Sequence, residues 1–442
     1  MTQQTKRALV ISIDGLDARY LQRRDEYGLR IPTLRRLMAE GATSLNVRVV
    51  YPSVTYPVHT TIATGALPAR HGIVGNELFI PLGSPDCGEW HWFARDIQAE
   101  TLWDAAGRRG LSTGIVSWPV AGGAGDYNVP EIKKMDGSLR ETLALMMMHA
   151  RPRGIIDEVA ARDPQLYDRA NADEHDDMRT RIAAYLIEEK RPRLMLVHLF
   201  DLDHFQHDYG PFTPEAFSIL EKLDAYVARI LEAAAHARTL SETAIFIVSD
   251  HGFAPISRLI HPGVLLGRAG LLSVEEKRDA PQDAHLCVTN WRALPSITGG
   301  SCAIILRDAE DRETFEGARA AFDGLRDNRA DAPVEPGFAP LRIIDAEEVR
   351  ALGADPRAAF FLEAADGYAF GANYTGDAVT ESVQRGQHGY LPSRYDTSFI
   401  ASGAGVKRRG DLGEVRIIDI GPTIARSLGL TLADADGQAL QL

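Results

Sequence analysis

The chain has 442 residues, 45% apolar and 25% charged, ordinary for a soluble globular protein and enough for a large core spread over two or three domains. Its formal charge of −13 argues against a protein that coats nucleic acid with a basic surface, so no duplex partner is expected. A small phosphate substrate stays compatible with that charge, because a bound metal inverts the local sign inside one cleft.

The three cysteines, Cys87, Cys287 and Cys302, have no CxxC spacing and suggest neither a disulfide framework nor a thiolate metal site. The apolar run after Arg7 is too short for a signal-peptide core, and no stretch reaches the length of a membrane span. A cytoplasmic location without a membrane partner is the expectation.

Residues 7–13 read as a buried parallel strand ending at the turn pair Asp14-Gly15. A helix at 31–40 and a strand at 44–50 follow. The next stretch runs from Tyr51 to Asn76. Pro57 suits an early helical position, which places Thr55 at the N-terminus of a short helix ending near Gly65. There Thr55 either caps the helix or presents its oxygen to a phosphate, since unpaired N–H groups and the positive dipole end gather at that point.

An aromatic segment (Trp90, Trp92, Phe93), a helix at 99–109 and a strand at 112–118 come next, then a glycine-rich loop at 122–126. Residues 139–191 read as mostly helical, with a charge run at 172–182 taken as a solvated face. The strand at 194–200 is followed by Asp201, Asp203, His204, His207 and Asp208, and residues 214–236 form a long amphipathic helix. The strand at 244–248 ends in Ser249-Asp250-His251. Strands alternating with helices indicate an α/β, doubly wound, largely parallel sheet flanked by helices, in whose crevice ligands gather beyond the carboxyl ends of the strands.

Residues 254–385 break this rhythm with short strands (303–307, 341–344), a helix (309–324) and a Pro/Asp-rich connection. They read as a smaller α+β insertion, or lid. Residues 1–253 and 386–442 would form the main domain, completed by a strand at 398–402 and a helix at 419–428.

Three strand ends and one loop thus carry metal-type ligands: Asp14; Asp203 with His207; Asp250 with His251; and His388. Oxygen and imidazole donors without thiolates suit a catalytic Zn²⁺, with Mn²⁺ or Fe as alternatives. The ordered set resembles the alkaline phosphatase superfamily, in its type I phosphodiesterase/nucleotide pyrophosphatase branch. The matching residues are Ile13-Asp14-Gly15, Thr55-Tyr-Pro-Val-His59, Gly65-x-x-Pro68-x-x-His71-Gly72, Asn76, Asp203-x-x-x-His207-x-x-Gly-Pro211, Asp250-His251-Gly252 and His388-Gly389-Tyr390.

The resemblance implies an alkaline phosphatase-like fold and a phosphate-ester or nucleotide substrate. It also implies two zinc ions, one held by Asp203, His207 and His388, the other by Asp14, Asp250, His251 and the Thr55 oxygen. Thr55 would be the nucleophile, and Asn76 would donate to a phosphoryl oxygen. Tyr56 corresponds to a base-stacking aromatic in nucleotide-hydrolysing relatives, and Trp118 resembles part of the same region; a packed core position is the competing reading for Tyr56.

A sulfatase needs a Cys or Ser nucleophile where Thr55 stands. A phosphonoacetate hydrolase-like activity is the nearest alternative, with Lys133-Lys134 as its carboxylate grip, and a phosphomonoesterase would need further positive groups. An inactive metal-binding relative fits less well, because the nucleophile and all six ligands are present. The oligomeric state is not readable from the chain.

Overall fold

The computed structural model describes residues 5–84, 86–132, 139–167, 175–278, 284–329, 331–335 and 337–442. Strands β1 (Arg7–Ile13), β2 (Ala42–Arg48), β3 (Thr113–Val116), β4 (Tyr127–Val129), β5 (Leu194–Leu199) and β6 (Thr243–Val248) belong to one large sheet. Across that sheet the order is Gly410–Asp411, β2, Thr397–Gly403, β6, β1, β5, β3, β4. The run β6-β1-β5-β3-β4 is parallel throughout. Thr397–Gly403 is antiparallel to both its neighbours.

Period-2 alternation decides what each face of β1 touches. Leu9, Ile11 and Ile13 pack with Leu220, Leu223, Val227 and Ile230 of the helix Pro214–His236. Ala8 and Val10 pack on the opposite face with Val58 and Ile62 of the helix Thr55–Thr64 and with Ile420 and Ile424 of the helix Ile420–Ser427. Each such aliphatic side chain contributes about 1.5–3 kcal/mol when fully buried. With helices on both faces the sheet has the doubly wound form, and its strands read as near-continuous apolar runs for that reason.

The expected 7–13 and 214–236 elements have those bounds, and most others end within two or three residues of expectation. The charge run differs. Asp176, Asp177 and Arg179 are buried. Asp176 accepts the Asp201 backbone N–H at 2.8 Å and Asp201 accepts that of Asp176 at 2.9 Å, tying the start of the helix Asp176–Tyr185 to the start of the helix Asp201–Tyr209. The Arg179 guanidinium lies over the Phe200 ring. Partners distant in sequence therefore bring Asp176, Asp177 and Arg179 inside, where a local reading placed them in solvent; residues 172–174 of the run lie outside the described residues.

Between residues 254 and 387 the chain builds smaller sheets. Ala293–Thr298, Ser301–Leu306, Ala358–Ala364 and Leu341–Asp345 form an antiparallel sheet in that order. Ala254–Ile260 pairs with Gly367–Phe370, Val379–Glu381 and Gly386–Gln387. Ile304, Phe322, Phe360 and Tyr368 fill the core beneath. Among the described residues, no helix is long and apolar enough to cross a membrane.

Candidate active site

Three adjacent strands deliver the acidic residues. Asp14 follows β1, Asp250 follows β6, and Asp203 lies in the helix Asp201–Tyr209 that begins two residues after β5. That helix puts Asp203 and His207 one turn apart on one face, with His207 Nε2 3.5 Å from Asp203 Oδ2. Gly15, at φ +68°, lets the chain turn so that its N–H donates to Asp250 Oδ1 at 3.1 Å, leaving Oδ2 for other partners. Gly389, at φ +89°, lies so close to the Thr298 carbonyl that a Cβ would come within 1.9 Å of it. The loop that presents His388 therefore requires glycine there.

These residues converge as two groups. Ligand atoms of Asp203, His207 and His388 lie within 4.8 Å of one another, and so do those of Asp14, Asp203 and His251. Asp203 belongs to both, where the sequence reading gave it to the first alone. Its Oδ1 is 3.5 Å from His388 Nε2 and 3.8 Å from His251 Nε2. Asp250 Oδ2 joins the second group, 3.2 Å from His251 Nε2, as does Asp14 Oδ1 at 3.2 Å. The His251 and His388 rings stack at 3.6 Å.

Asp14 Oδ1, Asp203 Oδ1, Asp250 Oδ2 and both His251 ring nitrogens are buried without a hydrogen bond. Buried carboxylates in this state repel one another and lack hydration. Burial and the charge of Asp14 push Asp250 well above the usual carboxylate range, and burial raises Asp203 also. Burial opposes charge on His251 as well, but the surrounding carboxylates raise it to about 9. His388 moves the other way: burial and the nearby His251 and His207 hold it well below the imidazole range, neutral and ready to ligate. Divalent cations are what such a donor set fits, and its oxygen and nitrogen composition suits zinc.

Thr55 opens the helix Thr55–Thr64 beside both groups. The residue in the cap position is Val54, and no side chain of the helix start makes the capping bond. Instead Asn76 Oδ1 accepts from the Tyr56 N–H at 2.9 Å, the part a capping threonine would have played. The capping reading of Thr55 is thereby replaced, and the Asn76 amide nitrogen is not used in the cap. Ser53, two residues earlier, offers its carbonyl to His388 Nδ1 at 3.4 Å. The Thr55 carbonyl accepts from His59 Nδ1 at 2.8 Å, and that nitrogen lies 3.6 Å from Asp250 Oδ2.

Two expected substrate residues sit elsewhere. Tyr56 is fully buried, packed with Ile73, Trp92, Val120 and Ile132, its ring edge-on to Trp90 at 5.1 Å. It offers no face to a base. Trp118 is also fully buried, edge-on to His59 at 5.0 Å. Helix geometry turns the second residue of the Thr55 helix inward, and Trp118, two residues past the end of β3, is buried against His59. A cavity of about 320 Å³ lies in front instead, lined by Asn76, Glu77, Trp90, His207, Thr298, Phe370, Gln387 and His388 among others. Trp90 and Phe370 are its aromatic walls. Trp90 stood in an aromatic run, and that was its sequence signal.

His198 was passed over in the sequence. It lies in β5, buried, with Nε2 2.9 Å from Asp14 Oδ2 and Nδ1 3.2 Å from Glu131 Oε2. An imidazole inside the otherwise apolar run Leu194–Leu199 was the available signal.

The family model for type I phosphodiesterase/nucleotide pyrophosphatase matches residues 8–391. The chain belongs to this family. Human ectonucleotide pyrophosphatase/phosphodiesterase family member 1 is 25% identical over 260 residues, 56% of this chain and 24% of the relative. An uncharacterized pyrophosphatase/phosphodiesterase of Schizosaccharomyces pombe is 26% identical over 259 residues, 56% of this chain and 45% of its own length. The aligned part thus spans about a quarter to a half of these relatives. Human ectonucleotide pyrophosphatase/phosphodiesterase 5 shares the fold over 98% of this chain and 97% of its own, with a TM-score of 0.63 at 18% identity. The family's alkaline phosphatase-like architecture is the one described above.

Proposed function

We propose that this family member hydrolyses phosphate diesters or nucleotide phosphoanhydrides through a covalent phosphothreonine on Thr55. The supporting observation is the meeting of six ligand-type side chains, several with buried atoms lacking hydrogen bonds, at the start of a helix whose capping bond comes from Asn76 and not from Thr55. Asp203, His207 and His388 would hold one divalent cation, and Asp14, Asp250, His251 and the Thr55 oxygen a second, with Asp203 between the two. When bound, such a pair supplies Lewis-acid stabilisation of both the attacking and the leaving oxygen.

The chain's own residues do the rest. The Thr55 oxygen attacks phosphorus as the bond to the leaving oxygen breaks, and water then attacks the same phosphorus and breaks the Thr55 bond. The Asn76 amide and the Thr55 backbone N–H donate to phosphoryl oxygens. His59 holds the Thr55 carbonyl, and burial keeps that imidazole well below its usual range, so it is neutral with its second nitrogen accepting from Ser12 at 2.8 Å.

The lining of the front cavity favours diesters. Among the described residues that line it none is Lys or Arg, so a singly charged phosphate is better matched than the dianion of a monoester. Lys133-Lys134, the proposed grip of a phosphonoacetate hydrolase, lies outside the described residues. The deciding experiment is turnover of bis-p-nitrophenyl phosphate by zinc-loaded protein, with p-nitrophenyl phosphate in parallel. Diester turnover well above monoester turnover is expected, and no diester turnover by fully loaded protein would sink the reading.

A further inference from the structure

We infer that His198, braced by Glu131, is a positioning residue for the cation group of Asp14, Asp250 and His251 and for that group alone. The inference rests on the two-cation reading above. His198 is the fifth residue of an otherwise apolar β5, and period-2 alternation sends it to the face it shares with Ser12 and the Thr55 helix. Nε2 meets Asp14 Oδ2 at 2.9 Å, while Nδ1 meets the Ser117 carbonyl at 3.0 Å and Glu131 Oε2 at 3.2 Å. Every neighbour of both ring nitrogens is an acceptor, so the ring donates on both sides.

This occupies one oxygen of Asp14. The other, Oδ1, is buried, has no hydrogen bond and points toward His251. A carboxylate held in this way offers one defined ligand atom, and loses that definition when its partner is removed. The His198 ring also stands edge-on to His59 at 4.5 Å, the residue that holds the Thr55 carbonyl, so the brace reaches both the ligand and the start of the Thr55 helix.

The second group has separate supports. His207 Nδ1 donates to the Gly386 carbonyl at 3.0 Å, and His388 Nδ1 faces the Ser53 carbonyl at 3.4 Å. Neither involves β5 residue 198 or Glu131. Loss of His198 should therefore weaken one cation and spare the other.

The test is zinc binding by the full chain across a series of buffered zinc concentrations, with metal per chain counted by atomic emission and cobalt absorption as a second readout. Wild type should bind two cations. In His198→Gln one of them should weaken roughly 10–100-fold, as for other outer partners of ligands. Glu131→Gln should weaken the same one to a lesser degree. In an Asp250→Asn background, adding His198→Gln should leave the remaining cation's affinity unchanged. Two cations held at wild-type affinity by both His198→Gln and Glu131→Gln would overturn the inference. So would equal weakening of both cations with an unchanged melting temperature, since that removes the selectivity. If His198→Gln fails to fold, Glu131→Gln decides in the same way. Wild type that binds no metal would overturn the two-cation reading itself, and this inference with it.

Discussion

The strand-end site and the antiparallel sheet at 293–364 both bury charge, but they treat it differently. Glu363, in that second sheet, accepts from Tyr51 Oη at 3.2 Å, the Leu391 N–H at 3.0 Å and Arg394 at 3.0 Å. Its lone pairs are met from several sides. At the strand ends, Asp14, Asp203, Asp250 and His251 keep buried atoms without hydrogen bonds. Evolution readily satisfies buried charge when folding is the only demand, as Glu363 shows. Carboxylates and an imidazole left facing one another in this way have the composition that fits a divalent cation, and Glu363 does not.

The largest expected effect breaks the site and nothing else. Thr55→Ala should lower kcat for bis-p-nitrophenyl phosphate by roughly 10³-fold or more while zinc content and melting temperature stay near wild type. Parallel loss of metal and fold would make Thr55 scaffolding after all. Tyr56→Ala tests the neighbouring residue from the other side. Emptying its buried volume should destabilise the protein by about 3–5 kcal/mol in denaturant unfolding, with KM for nucleotides unchanged in the folded enzyme. A selective rise in nucleotide KM without destabilisation would restore the stacking role.

Glu363→Gln probes the satisfied charge. Burial raises its folded pKa from 4.5 to about 7, so the native state holds the proton that the unfolded state has released. Stability should therefore fall as pH rises from about 4.5 to about 7 and level off above that, by an amount on the order of 3 kcal/mol at most. The Gln variant should lose most of this slope when unfolding is compared at pH 5 and pH 8, and identical slopes would refute the assignment. Trp90→Ala should have the smallest effect, about 1–3 kcal/mol of lost binding if the base stacks there. It should appear as a higher KM for nucleotide p-nitrophenyl diesters than for methyl p-nitrophenyl phosphate, and equal changes would remove Trp90 from base recognition.

The chain's own order of residues determined the parallel sheet, because buried strands such as 7–13 and 244–248 announce themselves as short apolar runs ending in acidic turns. It also singled out Asp14, Thr55, Asp203, His207, Asp250, His251 and His388, since strand-end carboxylates and clustered histidines are legible one segment at a time. Only the tertiary structure decided how these segments face one another. It placed Asp203 between the two groups and turned Tyr56 and Trp118 inward. It assigned the capping bond to Asn76, 20 residues beyond Tyr56, and linked His198 to Glu131 and Asp14, which follow different strands. Local propensity governs one element at a time. A hydrogen bond between distant residues is a property of packing, and no single stretch of this chain contains it.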